Sequence, residues 1–201
     1  EIPLRLVGSE MCIRDSMIFA EIENCKNGLP SGIWLKCNSL VDHRLIGLLY
    51  EASQAGVPIE IMARGVCCLR PGVAGLSETI TVRSIIGRFL EHGRIYVFAN
   101  GGEFLSDKNI VMISSADLMP RNLRRRVECF MRLENPTIRK QVLHQIMVAL
   151  LRDEKNSWYL KPDGSYVHPQ TDETSFSCHE YFMSNPSLSG LGSLAATQDN
   201  G

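Results

Sequence analysis

Residues 57–63, VPIEIMA, alternate along the chain, are rich in β-branched side chains, and run into Arg64 and Gly65. That period is a strand signature, and it places a cation at the strand's carboxyl end. The run follows a helical repeat over 43–55, with Leu45, Leu48, Leu49 and Ala52 on one stripe. Asp42 is positioned to cap that helix and Gly56 to end it. Upstream lie a strand at 32–37, GIWLKC, and a short amphipathic helix over 17–28 that Gly28 and Pro30 stop. Downstream, strands are expected at 80–89, 94–99 and 109–115, with a turn at Asn100-Gly101-Gly102. A longer helix is expected over 136–153, presenting Ile138, Val142, Leu143, Ile146, Leu150 and Leu151. This order of elements implies an α/β (or α+β) fold with a mixed β-sheet flanked by helices. Ligands of such sheets gather at the carboxyl ends of strands, where Arg64 stands.

The 201 residues suffice for one domain with appendages, and 44% hydrophobic against 21% charged content excludes full-length disorder. No run of about 18 apolar residues exists, so no transmembrane segment is expected. A net charge of −1 and a pI near 6.6 do not suggest nucleic acid as a partner. The seven cysteines include no C-x-x-C pair, and reduced, buried thiols in a cytoplasmic protein are expected. Residues 1–16 do not fit the rest of the chain: EMCIRDS resembles the translation of a transposon end used in sequencing libraries. The segment is therefore read as non-native, the domain as 17–167, and the polar stretch 168–201 as an extended or disordered tail.

Charge is distributed unevenly. From Arg64 to Arg132 there are 11 cations against 6 anions, and ten of the cations are arginine. Each arginine alone is also compatible with a surface ion pair. As a group they favour a polyanionic ligand, because the guanidinium fork grips phosphate or carboxylate through two bonds. Four clusters stand out. Glu91-His92-Gly93-Arg94 sets an imidazole beside a guanidinium, expected on one strand face, which suits phosphoryl chemistry. Met62-Ala63-Arg64-Gly65 lets a guanidinium and backbone amides approach one anion. Ser114, Ser115, Arg121 and Asn122 can position phosphate or simply cap a turn. Lys36 and Asn38 point the same way from one strand. No Walker A loop, G-x-G-x-x-G, H-E-x-x-H or G-x-S-x-G motif is present.

The stretches LKCNSLVD (35–42), LYEASQAGVPIEIMARGVCCLRPGVAGLSE (49–78), VRSIIGRFLEHGRIYVFANGG (82–102) and ISSADLMPRNLRRRVE (113–128) resemble the C-terminal part of bacterial polyphosphate kinases of the large, histidine-phosphorylating type. PDGSYV (162–167) and EYFMSNPSLSG (180–190) extend the resemblance. It implies a phospholipase-D-like domain of a transferase that moves the terminal phosphate of ATP onto polyphosphate through a phosphohistidine. It implies His92 as a catalytic, ATP-phosphate-binding residue and Arg64 as a nucleotide-phosphate ligand. Arg94, Lys36, Asn38, Ser115, Arg121 and Asn122 are further candidate phosphate contacts. ATP and polyphosphate are the implied partners, together with preceding domains of the same enzyme and a homo-oligomeric assembly. The implied location is cytoplasmic or peripheral to the membrane. The histidine that becomes phosphorylated and the Mg2+-associated arginines have no counterpart here, so the chain alone is expected to be inactive. Leu118 stands where the family pattern S-A-D-W-M carries tryptophan. A phospholipase-D-like phosphodiesterase and a non-enzymatic polyanion-binding module are the alternatives. The phosphodiesterase is disfavoured because the chain has one H-x-R element and Asn100 in place of an acid.

Overall fold

Alternation sorts the strand side chains onto two apolar faces, and each face is covered by helices. The computed structural model describes residues 7–125 and 128–185. Strands β1 (Ile33–Cys37), β2 (Ile59–Ala63), β3 (Ile80–Ile85), β4 (Ile95–Phe98), β5 (Ile110–Ser114), β6 (Phe130–Arg132), β7 (Ser157–Leu160) and β8 (Tyr166–Val167) form one sheet. Its order is β6-β5-β4-β1-β2-β3-β7-β8. The central β1, β2 and β3 run parallel, and β4 and β7 flank them antiparallel. The sheet is therefore mixed, as the order of elements implies.

Helices α1 (Val7–Lys26) and α2 (His43–Gln54) cover one face. Ile18 and Ile22 of α1 and Leu45, Leu49 and Ala52 of α2 pack there on Ile33, Leu35, Ile59, Ile61, Tyr96 and Phe98. The Asp42 carboxylate accepts the Leu45 amide at 3.0 Å, the expected cap, and Gly56 (φ +96°) follows the helix. The other face packs Met62, Ile95, Val97 and Val111 against Leu143, Met147, Ala149, Leu150 and Cys178.

Several expectations change in three dimensions. Helix α1 starts at Val7, not at 17, and crosses position 16 without a break. The strand expected over 80–89 stops at Ile85, and Ile86, Phe89 and Leu90 are exposed. The helix expected over 136–153 is α4 (Pro136–Lys140), a π-helical segment (Gln141–Met147) and α5 (Val148–Arg152). The wider π turn re-phases the apolar stripe, so Leu143, Met147 and Leu150 are buried while Ile138 is 48% exposed. Strands β6, β7 and β8 and the short helix α3 (Pro120–Arg125) are too brief for periodicity to mark.

The segment from 168 onward is not an extended tail up to residue 185. Helix α6 (Cys178–Ser184) docks on the sheet with Cys178 fully buried, and Asp153 binds the Cys178 amide at 2.7 Å. Residues 186–201, and the side chains of Arg124–Arg126, lie outside the described residues. The six described cysteines are free; Cys37 and Cys178 are buried, whereas Cys68 is exposed. Among the described residues no helix is long and apolar enough to cross a membrane.

Candidate functional site: an arginine-bearing cleft at the strand ends

The register decides which segments meet. Cys37 pairs with Ala63, and Lys36 pairs with Ile95. The carboxyl ends of β1 and β2 and the amino end of β4 therefore share one edge of the sheet. Arg64 follows β2 and Glu91-His92-Gly93-Arg94 precedes β4, so the two principal clusters are brought to the same end. An open cleft lies there, lined by Lys36, Cys37, Met62, Arg64, Ile85, Glu91, Leu150 and His179.

Arg64 is half-buried. Its Nε donates to Asn38 Oδ1 at 3.2 Å, and its carbonyl accepts the Ser84 hydroxyl at 3.2 Å. Among the described residues no carboxylate pairs with it. Some other arginines of the basic window are paired with carboxylates. Arg83 meets Glu60 at 3.1 Å and lies 5.0 Å from the Tyr159 ring centre, and Arg132 meets Glu134 at 3.5 Å. Arg64 is the arginine of the basic window that lines this cleft.

Lys36 is buried, donates to the Gly93 carbonyl at 2.8 Å and pairs with Glu91. Burial alone would raise the Glu91 pKa, but the Lys36 charge and hydrogen bond and the Gly93 amide outweigh it and hold the carboxyl below its usual value. With Lys36 and Glu91 cancelling, the cleft's surplus charge is that of Arg64.

His92 and Arg94 do not share a strand face, because β4 begins at Ile95 and both precede it in irregular backbone. His92 is exposed and is not among the residues lining the cleft. Arg94 is a strut: Nη2 meets Asp117 Oδ2 at 3.3 Å, and Nη1 donates to the His92 carbonyl at 3.1 Å. Asp117 Oδ1 also accepts the Asn38 and Ser39 amides at 2.8 and 3.1 Å, so one carboxylate fixes the end of β1. Leu118, fully buried, adds backbone bonds from Val41 and Asp42 to its carbonyl.

Ser115 and Asn122 have a structural role instead. Glu128 accepts the Ser115 hydroxyl at 2.6 Å and the Asn122 amide at 2.8 Å, tying α3 to the chain before β6. Arg121 is exposed beside them. His179 belongs to no sequence motif; the docking of α6 brings it into the cleft.

Asp117 and Glu91 give a pH prediction. Burial raises the Asp117 pKa, but the Arg94 bond and the Ser39 and Asn38 amides outweigh it, so the folded value lies below 3.8. Both carboxyls bind protons less readily when folded. Their stabilisation is therefore complete above their unfolded pKa values, near 4 to 4.5, and is lost as pH falls through the lower folded values. Glu21 acts in the opposite sense, since burial raises its pKa. Urea midpoints should fall below about pH 4, and Asp117→Asn should flatten that fall. A midpoint insensitive to the substitution would show that Asp117 does not hold the β1 end.

Residues 7–178 match the family model described as polyphosphate kinase C-terminal domain 2. The chain is 55% identical over 172 residues to a polyphosphate kinase of Erythrobacter litoralis, covering 86% of this chain and 24% of the relative. It is 49% identical over 169 residues to a polyphosphate kinase of Synechocystis, covering 83% and 22%. The crystal structure of polyphosphate kinase from Porphyromonas gingivalis superposes with a TM-score of 0.83 at 32% identity, over 91% of this chain and 28% of that one. The chain thus spans less than a quarter of the length of these two curated relatives. Matched nearly end to end in sequence and in backbone, the chain belongs to the polyphosphate kinase C-terminal domain 2 family.

Proposed function

We propose that this chain is the C-terminal part of a polyphosphate kinase and supplies half of a phosphoryl-transfer site. In that reaction ATP and a polyphosphate chain give ADP and a chain one unit longer, through a phosphohistidine carried by a preceding domain. Phosphoryl transfer asks the protein for positioning and for compensation of charge on the transferred group, more than for covalent chemistry. The observation that carries the reading is Arg64. It opens into a strand-end cleft with no carboxylate partner among the described residues, whereas Arg83 and Arg94 are paired.

Arg64 binds a phosphate oxygen, and Asn38 holds its Nε so that the outer edge of the guanidinium faces the anion. His92 reaches the same phosphates from the exposed segment before β4 and acts on the transferred group. Arg94, anchored on Asp117, fixes the backbone of His92 and does not itself bind phosphate. Lys36 contributes positive potential that Glu91 largely offsets.

ATP is the phosphate donor in this reading. The residues do not fit the implied Mg2+: the cleft's carboxylate, Glu91, is tied to Lys36 and the Gly93 amide. Among the described residues no group of three or more His, Cys, Asp or Glu is arranged to hold a metal.

Calorimetric titration of the chain with polyphosphate and with double-stranded DNA, at about 50 and about 200 mM salt, tests the reading. Polyphosphate should bind through Arg64 at both salts, and DNA weakly and only at low salt, as expected of non-specific charge attraction. Equal, salt-sensitive binding of both polymers, unchanged by Arg64→Ala, would make the domain a general polyanion binder.

A further inference from the structure

One imidazole in the cleft has no role in the chemistry above. His179 is 4% exposed, in the first turn of α6, and lines the cleft with Arg64, Lys36 and Glu91. Its Nδ1 lies 3.2 Å from the backbone nitrogen of Phe89, and its ring sits 5.5 Å from the Phe89 ring. A backbone amide can only donate, so Nδ1 is the acceptor. The neutral ring then carries its proton on Nε2. Among the described residues no protein acceptor meets Nε2.

The surroundings hold this orientation. A side chain at Gly87 would run into the His179 ring, so glycine there makes room for it. Helix α6 is fastened from below: Asp153 accepts the Cys178 amide, and Asn156 donates both to Asp153 and to the Ser177 cap. A buried ring with one nitrogen satisfied and a donor left over, in a cleft with a free guanidinium, matches an acceptor-only ligand. Phosphate oxygens are such acceptors. Glu91, the acceptor already present, is taken by Lys36 and the Gly93 amide.

We propose that His179 is a phosphate-binding residue of this cleft, donating from Nε2 to an oxygen of the anion that Arg64 holds. The inference rests on the phosphate reading of the cleft and adds to it a second donor, from the opposite end of the chain. His179 forms no covalent bond with the phosphate, and its proton stays on the ring.

The test uses the 201-residue chain labelled with 15N-histidine, and tripolyphosphate as the probe. Long-range 1H–15N spectra should show the Nε2-protonated tautomer before ligand is added, and the Nε2 signal should move on titration. His179→Phe should weaken tripolyphosphate binding about tenfold, the scale of one hydrogen bond to a charged acceptor. His179→Gln, which keeps an N–H donor, should stay within about twofold of the parent chain, on the same scale. An Nδ1-protonated ring overturns the proposal, as does unchanged affinity in His179→Phe while Arg64→Ala abolishes binding. In both cases the phosphate reading survives. If tripolyphosphate does not bind the parent chain, both readings fall together. If His179→Phe does not fold, the tautomer and titration shift of the parent chain decide.

Discussion

Arg64→Ala in the full-length polypeptide should lower ATP-dependent polyphosphate growth by at least about 100-fold, the scale of losing one preorganised group that stabilises transition-state charge. The effect should fall mainly on kcat, because charge builds on the transferred phosphoryl group beyond its ground-state value. Arg64→Lys should recover part of the loss: it keeps the charge but gives up the planar fork and the Nε bond to Asn38. His92→Ala is expected to match Arg64→Ala in magnitude. The assay is radiolabelled ATP incorporation into polyphosphate, with the phosphorylated state of the enzyme followed in parallel. Near-normal rates in Arg64→Ala would remove the cleft from the reaction. Near-normal rates in His92→Ala alone would leave the anion site standing without its acting histidine.

The second large effect is on folding. Asp153 is 1% exposed and accepts bonds from the Asn156 backbone and side chain, the Ser157 hydroxyl and the Cys178 amide. One carboxylate thus joins the end of α5, the start of β7 and the start of α6. Asp153→Ala orphans several of these donors at once. At about 1–3 kcal/mol per buried unsatisfied group, the loss should be about 3–5 kcal/mol, a large share of the stability of an ordinary domain. Urea unfolding of the chain measures it. A loss below about 1 kcal/mol, within the range of surface changes, would show that α6 is not fastened by this residue.

The sheet's central strands and α2 are legible because their signals are local. Alternation marks β2, the apolar run at 32–37 marks β1, Asp42 and Gly56 bracket α2, and Arg64 falls at a strand end by simple counting. The flanks are not legible, since β6, β7 and β8 hold two to four residues each and owe their existence to the strands they pair with. The π-helical segment escapes for a related reason: the extra width goes with packing Leu143, Met147 and Leu150 against the sheet, not with any propensity of its residues.

The same division runs through the site. Arg64 and the 91–94 cluster are detectable because they stand beside readable strands. Ser115 and Asn122 look like anion ligands in sequence, but Glu128, a few residues on, takes both. Alternation misplaces His92 and Arg94, because the strand that would have paired their faces starts one residue later. His179 lies in a polar stretch that composition reads as a tail. Its place in the cleft comes from Asp153, about 25 residues upstream in sequence and adjacent only once the chain has folded.

The cleft's two walls also have a temporal side. Lys36 and Arg64 leave the ribosome long before His179, and the rim between them is not closed until α6 has been synthesised and has found Asp153. A nascent chain halted before residue 178 would lack the side of the cleft that His179 lines. The wall that carries His179 is therefore added to the cleft only after the strand ends that carry Lys36 and Arg64 have been made.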